Sequence, residues 1–255
     1  MNLKIAFLHF AYCCGPQPDN ARKILQGMEI AAQHGADWVL TPEMALQGYH
    51  MMRGDKPFQL ASIHNGILLP FQEACRRYGQ RLFLGCGFVD DRTPRNSCVL
   101  ISADGKYCNR HDKVKIVPWI TENWAHPGEE FAVWDLDGIN TSVMVCADAY
   151  FAEHGQVIAK AGAQLAVVVA AWPPEEAWKQ MSRQAQIPVI ICNQTGTEGM
   201  DCSHAQSAAV SDGEVLFTYE GEEAVLLMDF DAEKKQVISQ AFEVIDFANC
   251  KEKNC

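Results

Sequence analysis

Apolar positions along the chain switch between two periods. Strand-like runs occur at "KIAFLHF", "DWVLTPE", "RLFLGCGFV", "SCVLIS", "INTSVMVC", "AQLAVVVAA", "PVIICNQ", "SAAVSDGEVLFTY" and "AVLLMDF". Between them come stretches with a helical repeat. In "DNARKILQGMEIAAQHG", Ile24, Met28 and Ala31 share one face, Asp19 or Asn20 can cap the start, and Gly35 marks the stop. Residues 60–78, "EHGQVIAKAG" and "PPEEAWKQMSRQAQ" also read as helices, the last opening on prolines that a first turn tolerates.

Three Asp-Gly pairs, Asp104-Gly105, Asp137-Gly138 and Asp212-Gly213, sit between strand-like runs. Asp-Gly suits the positive φ angles of tight hairpins. Antiparallel hairpins beside strand–helix–strand units fit neither a purely doubly wound sheet nor a pure sandwich. The pattern predicts an α/β fold with mixed sheets, two of them packed face to face and helices outside. No linker interrupts it, so residues 1–255 read as one domain, with "NCKEKNC" as a tail.

Composition narrows the function classes. A net charge of −11 argues against a nucleic-acid partner, which needs a basic stripe. The amino-terminal run "MNLKIAFLHFAYCC" is too short for a membrane span and reads as a buried strand. The chain has eleven cysteines, several inside apolar runs (Cys86, Cys98, Cys192) and not in loops, so free thiols in a reducing cytoplasm are expected. Cys13-Cys14 and the Cys202–His204 pair lack a second half at finger-like spacing, so no metal is expected.

Reactive side chains cluster at predicted strand ends, where loops gather. Glu43 follows Pro42 at the end of an apolar strand. Partial desolvation there suits a carboxylate to proton transfer, although a helix-start Glu that stabilises a dipole looks the same. "RHDKVKIVPWITENWAHPG" carries Lys113 and Lys115 at strand-like alternation, with Glu122 further on. Each lysine alone reads as solvated. Beside a carboxylate and a cysteine, one could hold a thiolate and an oxyanion. Cys146 ends "INTSVMV" at a turn toward a helix, where backbone N–H groups and the helix dipole favour a reactive thiol. A buried strand cysteine is usually inert, and this chain has ten others. "ICNQTGTEG" reads as a strand and a polar turn that could line a pocket.

Taken in order, these motifs resemble the nitrilase, or carbon–nitrogen hydrolase, superfamily. "TPEMALQGY" is similar to its Pro-Glu motif, and "VCADAYFAE" to its Cys-x-Asp…Glu motif through Asp148 and Glu153, with Ala152 where proline is usual. "VKIVPWITENWAHPG" resembles the aliphatic-amidase lysine motif in a register that selects Lys115 and places Glu122 at the second glutamate. The lysine–residue–His–Leu register of other branches would select Lys113. "DNARKI", "NSCVLISADG" and "SAAVSDG" extend the likeness to about Phe230.

The resemblance implies a four-layer α-β-β-α sandwich, a homodimer or larger assembly, and no cofactor. It implies hydrolysis of a small amide by a Cys146 thiolate, with Glu43 moving protons, and Lys115 and the Ala147 N–H holding the oxyanion. Glu122 and Asp148 would support them. The aromatics Tyr49, Trp119 and Trp172 fit a small, partly apolar pocket, and core packing accounts for them equally well. A nitrilase, a carbamoylase or a catalytically silent binding member are the rivals.

Overall fold

The computed structural model describes residues 2–12, 17–49, 59–117, 122–171, 175–197 and 201–247. Two mixed sheets run through them. The first has the order β13-β12-β1-β2-β3-β4-β5, with β14 also pairing with β12. Its strands are β1 (Asn2–His9), β2 (Trp38–Leu40), β3 (Arg81–Asp90), β4 (Thr93–Ile101), β5 (Tyr107–Asp112), β12 (Ala224–Asp231), β13 (Gln236–Val237) and β14 (Glu243–Asp246). The second has the order β11-β10-β9-β8-β7-β6. It is built from β6 (Val133–Leu136), β7 (Ile139–Val145), β8 (Leu165–Ala170), β9 (Val189–Asn193), β10 (Ser207–Ser211) and β11 (Glu214–Tyr219). Strands β1, β2 and β3 run parallel in one sheet, and β7, β8 and β9 run parallel in the other.

Side-chain alternation sorts the core into layers. Ile5, Phe7, Trp38, Leu40 and Phe83 pack with Val143, Val145, Val167 and Val169 between the sheets. Ala6, Leu8, Val39, Leu82 and Leu84 turn the other way. They meet Ile24 and Met28 of helix α1 (Gln17–Gln33) and Phe71 of helix α2 (Leu69–Tyr78). Helices α3 (Ala152–Lys160) and α4 (Glu175–Ala185) cover the second sheet through Ile158, Trp178 and Met181. Strand β8 is buried on both faces, which is why "LAVVVA" is apolar throughout. The result is the expected α-β-β-α layering.

The hairpin signals hold. Asp137-Gly138 (φ 55° and 85°) joins β6 to β7, and Asp212-Gly213 (φ 53° and 78°) joins β10 to β11. Gly105 (φ 78°) turns the chain between β4 and β5. Two expectations change. The helix anticipated over residues 60–78 begins only at Leu69. Gly66 takes φ 74°, Asn65 ties up the preceding loop through Ser62 and Leu60, and Pro70 suits a first turn. The strand-like run through Lys113 and Lys115 stops at Asp112. Among the described residues no helix is long and apolar enough to cross a membrane.

Candidate active site

Glu43 and Cys146 lie just past the carboxyl ends of parallel strands from different sheets. Beyond β2, Thr41 and Pro42 lead into a tight turn in which Met44 takes φ 54°. The turn packs directly onto β3. A Cβ on Gly85 would sit 2.0 Å from the Pro42 carbonyl oxygen, so only glycine permits the approach. The Gly85 N–H donates to Thr41 Oγ1 at 2.8 Å, and the Glu43 N–H donates to the Ala170 carbonyl of β8 at 3.3 Å, stitching this turn to both sheets. Cys146 follows β7 and opens a short 3-10 turn (Cys146–Tyr150) at φ 45°, a backbone conformation that a non-glycine residue rarely adopts. Ala147 is next in that turn, where N–H groups lack acceptors within the turn.

The lysine beside them is Lys113, which corrects the register that selects Lys115. Lys113 Nζ is fully buried and donates to Glu43 Oε1 at 2.7 Å and to Glu122 Oε1 at 2.5 Å. Lys115 is only half-buried, and its ammonium lies 4.8 Å from the centre of the Phe151 ring. The physical reason is a contact remote in sequence. β5 ends at Asp112, and Asp148 Oδ1 accepts the N–H groups of both Val114 (3.0 Å) and Lys115 (2.8 Å). One acceptor gathering two successive amides bends the chain out of strand geometry, so alternation no longer places the two lysines on one face.

Asn96, in β4 opposite Gly87, braces the carboxylates. Its Nδ2 donates to Glu43 Oε1 and to Glu122 Oε1, both at 2.8 Å. Glu122 Oε2 accepts the Val117 N–H at 2.7 Å. Glu43 Oε2, by contrast, is buried with no donor in hydrogen-bonding geometry. The Cys146 thiol donates to the Ala171 carbonyl at 3.6 Å, with the Tyr150 hydroxyl 4.0 Å from its sulfur.

Each charge answers to its neighbours. Burial pushes the Glu43 carboxyl up to about 7; Lys113 opposes that rise and Glu122 adds to it. Burial also disfavours a charged Lys113, but Glu43, the Cys146 sulfur and Glu122 together hold its proton more tightly than in water. Burial and the Glu43 charge push the Cys146 thiol far up, against the pull of Lys113. The resting arrangement is therefore an ammonium between carboxylates, next to a thiol that keeps its proton until a base removes it.

Of the other expected residues, Tyr49 is buried with Met44 and Ala171 and lies within electrostatic reach of Glu43 and Glu122. Asp148 is buried beneath the Cys146 turn. Trp119 and Trp172 lie outside the described residues. Among the described residues no group of three His, Cys, Asp or Glu side chains could hold a metal ion. Sequence reasoning passed over Asn96 and His111. Nothing marks Asn96 except its place at the start of "NSCVLIS", and nothing in the residues flanking His111 marks it.

Comparison with known proteins gives a consistent picture. Residues 11–238 match the family model described as carbon-nitrogen hydrolase. A 2-oxoglutaramate amidase of Bacillus subtilis is 23% identical over 96% of this chain and 97% of its own length. The crystal structure of a carbon-nitrogen hydrolase from Helicobacter pylori G27 superposes with a TM-score of 0.81 at 19% identity, covering 92% of this chain and 90% of that one. A mutant amidase from Nesterenkonia sp. AN1, carrying the acetamide moiety of fluoroacetamide covalently added at its active-site cysteine, gives 0.78 at 21% identity over 91% and 92%.

Proposed function

Since the chain belongs to the carbon–nitrogen hydrolase family, we propose that it is an amidase that cleaves a small non-peptide amide through a thioester on Cys146. The observation that carries this reading is the buried ammonium of Lys113, held by Glu43 and Glu122 beside a thiol presented on a left-handed turn.

Glu43 takes the thiol proton as the sulfur bonds to the amide carbon. Lys113 and the Ala147 N–H stabilise the oxygen that gains the electron pair. The C–N bond then breaks, and Glu43 passes its proton to the leaving nitrogen, which departs as ammonia or an amine. Water gives a proton to Glu43 and attacks the thioester, releasing the carboxylic acid and restoring the thiol. Glu122 and Asn96 keep Lys113 aimed, and Tyr49 lines the acyl pocket.

The relative from Bacillus subtilis is a 2-oxoglutaramate amidase, so substrates that carry a carboxylate at the far end head the candidates. We also place the protein in the cytoplasm as a homodimer. The described cysteines are all free thiols, as a reducing compartment leaves them, and the family resemblance implies pairing.

The test is a substrate panel that includes 2-oxoglutaramate, short aliphatic amides, the matching nitriles and N-carbamoyl compounds, with ammonia and carbon dioxide as readouts. Ammonia from amides alone, abolished in Cys146→Ala, is expected. Preferential turnover of nitriles, or carbon dioxide release from carbamoyl compounds, would contradict the amidase reading.

A further inference from the structure

Lys113 and Cys146 each lie one residue beyond a strand; the Lys113 N–H still donates to the Asn96 carbonyl of β4 at 2.8 Å, and the chain leaves that ladder at Val114. What joins them is Asp148. Its Oδ2 accepts the N–H of Val145, the residue before Cys146, at 3.0 Å. Its Oδ1 accepts the N–H of Val114, the residue after Lys113, and that of Lys115. A fourth donor, His111 Nε2, reaches Oδ2 at 2.8 Å.

The carboxylate is buried, so four donors from two chain segments converge where water does not compete. Burial works to raise its pKa, but the His111 contact and the amides hold it below the usual carboxylate range. The imidazole of His111 is itself buried and stacked on Phe131 at 5.7 Å. Phe131 meets the His154 ring at 4.5 Å, and His154 Nδ1 bonds the Asp148 carbonyl at 2.6 Å. Asp148 is thus gripped at both its side chain and its backbone.

We propose that Asp148 and His111 are positioning residues that set the spacing between the Cys146 sulfur and the Lys113 ammonium, and through it the reactivity of the thiol. Asp148 supplies the acceptor shared by the two segments, and His111 supplies the donor that fixes the carboxylate's orientation. The proposal rests on the thiol-nucleophile reading above. A displacement of about 1 Å between reacting groups can cost on the order of a hundredfold in rate, so a strut of this kind matters for chemistry beyond its share in folding.

The test uses iodoacetamide, a small alkylating agent that carries an amide, with the site of modification located by peptide mass. Variants are compared at equal folded fraction. His111→Leu removes the donor, whereas His111→Gln keeps an N–H group at similar reach. Asp148→Asn replaces one of the two acceptor oxygens with an NH2 donor, and if it does not fold, the two His111 variants decide the outcome. The limiting alkylation rate at Cys146 is expected to fall about tenfold or more in His111→Leu with the half-saturating concentration within about twofold, and to return to within about threefold of wild type in His111→Gln. A purely structural role would lower the melting temperature and leave the per-molecule rate alone. Wild-type rates in His111→Leu, or a loss in His111→Gln as deep as in His111→Leu, would overturn the strut. The exposed thiol of Cys108 is the internal reference. If wild-type Cys146 reacted no faster than Cys108, the nucleophile reading itself would fall and the strut with it.

Discussion

Lys113 carries its charge where water does not reach, and an isolated buried ammonium is costly enough that it would give up its proton. Glu43 and Glu122 prevent that, while burial, opposed by Lys113, gives Glu43 its chemical character. A carboxyl pushed up to about 7 is poised near neutrality as a proton carrier. The sign of the pH dependence follows. Glu43 acts as a base only when ionised, so kcat/KM should rise with pH and fall about tenfold per unit below roughly pH 7. Lys113, held above its ordinary value, stays protonated throughout this range and adds no limb of its own. A profile of kcat/KM from pH 5 to 9 checks this; an acid limb near the ordinary glutamate value would contradict the buried-base assignment. At this scale the sequence was least informative. Lys113 and Lys115 are the same residue type two positions apart. The choice between them depends on Asp148, thirty-odd residues later, collecting the amides in between.

At the scale of elements, the hairpin between β6 and β7 does more than reverse the chain. Asp137, at its tip, reaches the other sheet. It accepts from Trp38 Nε1 at 2.7 Å and from Arg81 Nε and Nη2 at 2.8 and 2.9 Å. Trp38 opens β2, the strand whose end presents Glu43, so this clasp holds the Glu43 strand against the sheet that carries Cys146. Arg81 in particular holds the Asp137 carboxyl below its usual range. A carboxyl depressed in the folded state contributes stability above its unfolded pKa, and that contribution is lost as pH falls. Asp137→Asn should therefore lower stability by about 1 kcal/mol near neutrality, a figure discounted for the partial exposure of the side chain. The gap in Tm between variant and wild type should close as pH falls through and below the ordinary aspartate range. Thermal melts across that range check it, and a gap independent of pH would assign the loss to packing instead. The Asp-Gly tips were plain in the sequence because their chemistry is local. The late start of α2, the end of β5 at Asp112, and the short strands β13 and β14 were not, because each depends on a partner remote in sequence or on a single turn.

For the whole molecule, what matters is that the ends of parallel strands from two sheets meet. β2 and β7 belong to different sheets, and their carboxyl ends bring Glu43 and Cys146 to one place, while the turn beyond β5 adds Lys113. Periodicity along the chain reveals strands and their buried faces, yet it does not say which sheet a strand joins. The order of motifs supplied that link through a family likeness: it names Glu43, Glu122 and Cys146, which the structure brings together with Lys113 and not with the expected Lys115. Glu43, Lys113 and Cys146 are proposed to act as one thiol site. The most direct test of this is the mass of the acyl group left on Cys146 when wild type, Lys113→Ala and Lys115→Ala, matched for folded fraction, are mixed rapidly with a turned-over amide. The account predicts an adduct on Cys146 in wild type and in Lys115→Ala, formed at comparable rates, with Lys113→Ala slowed about a hundredfold or more. An adduct on another cysteine, or a loss confined to Lys115→Ala, would contradict it.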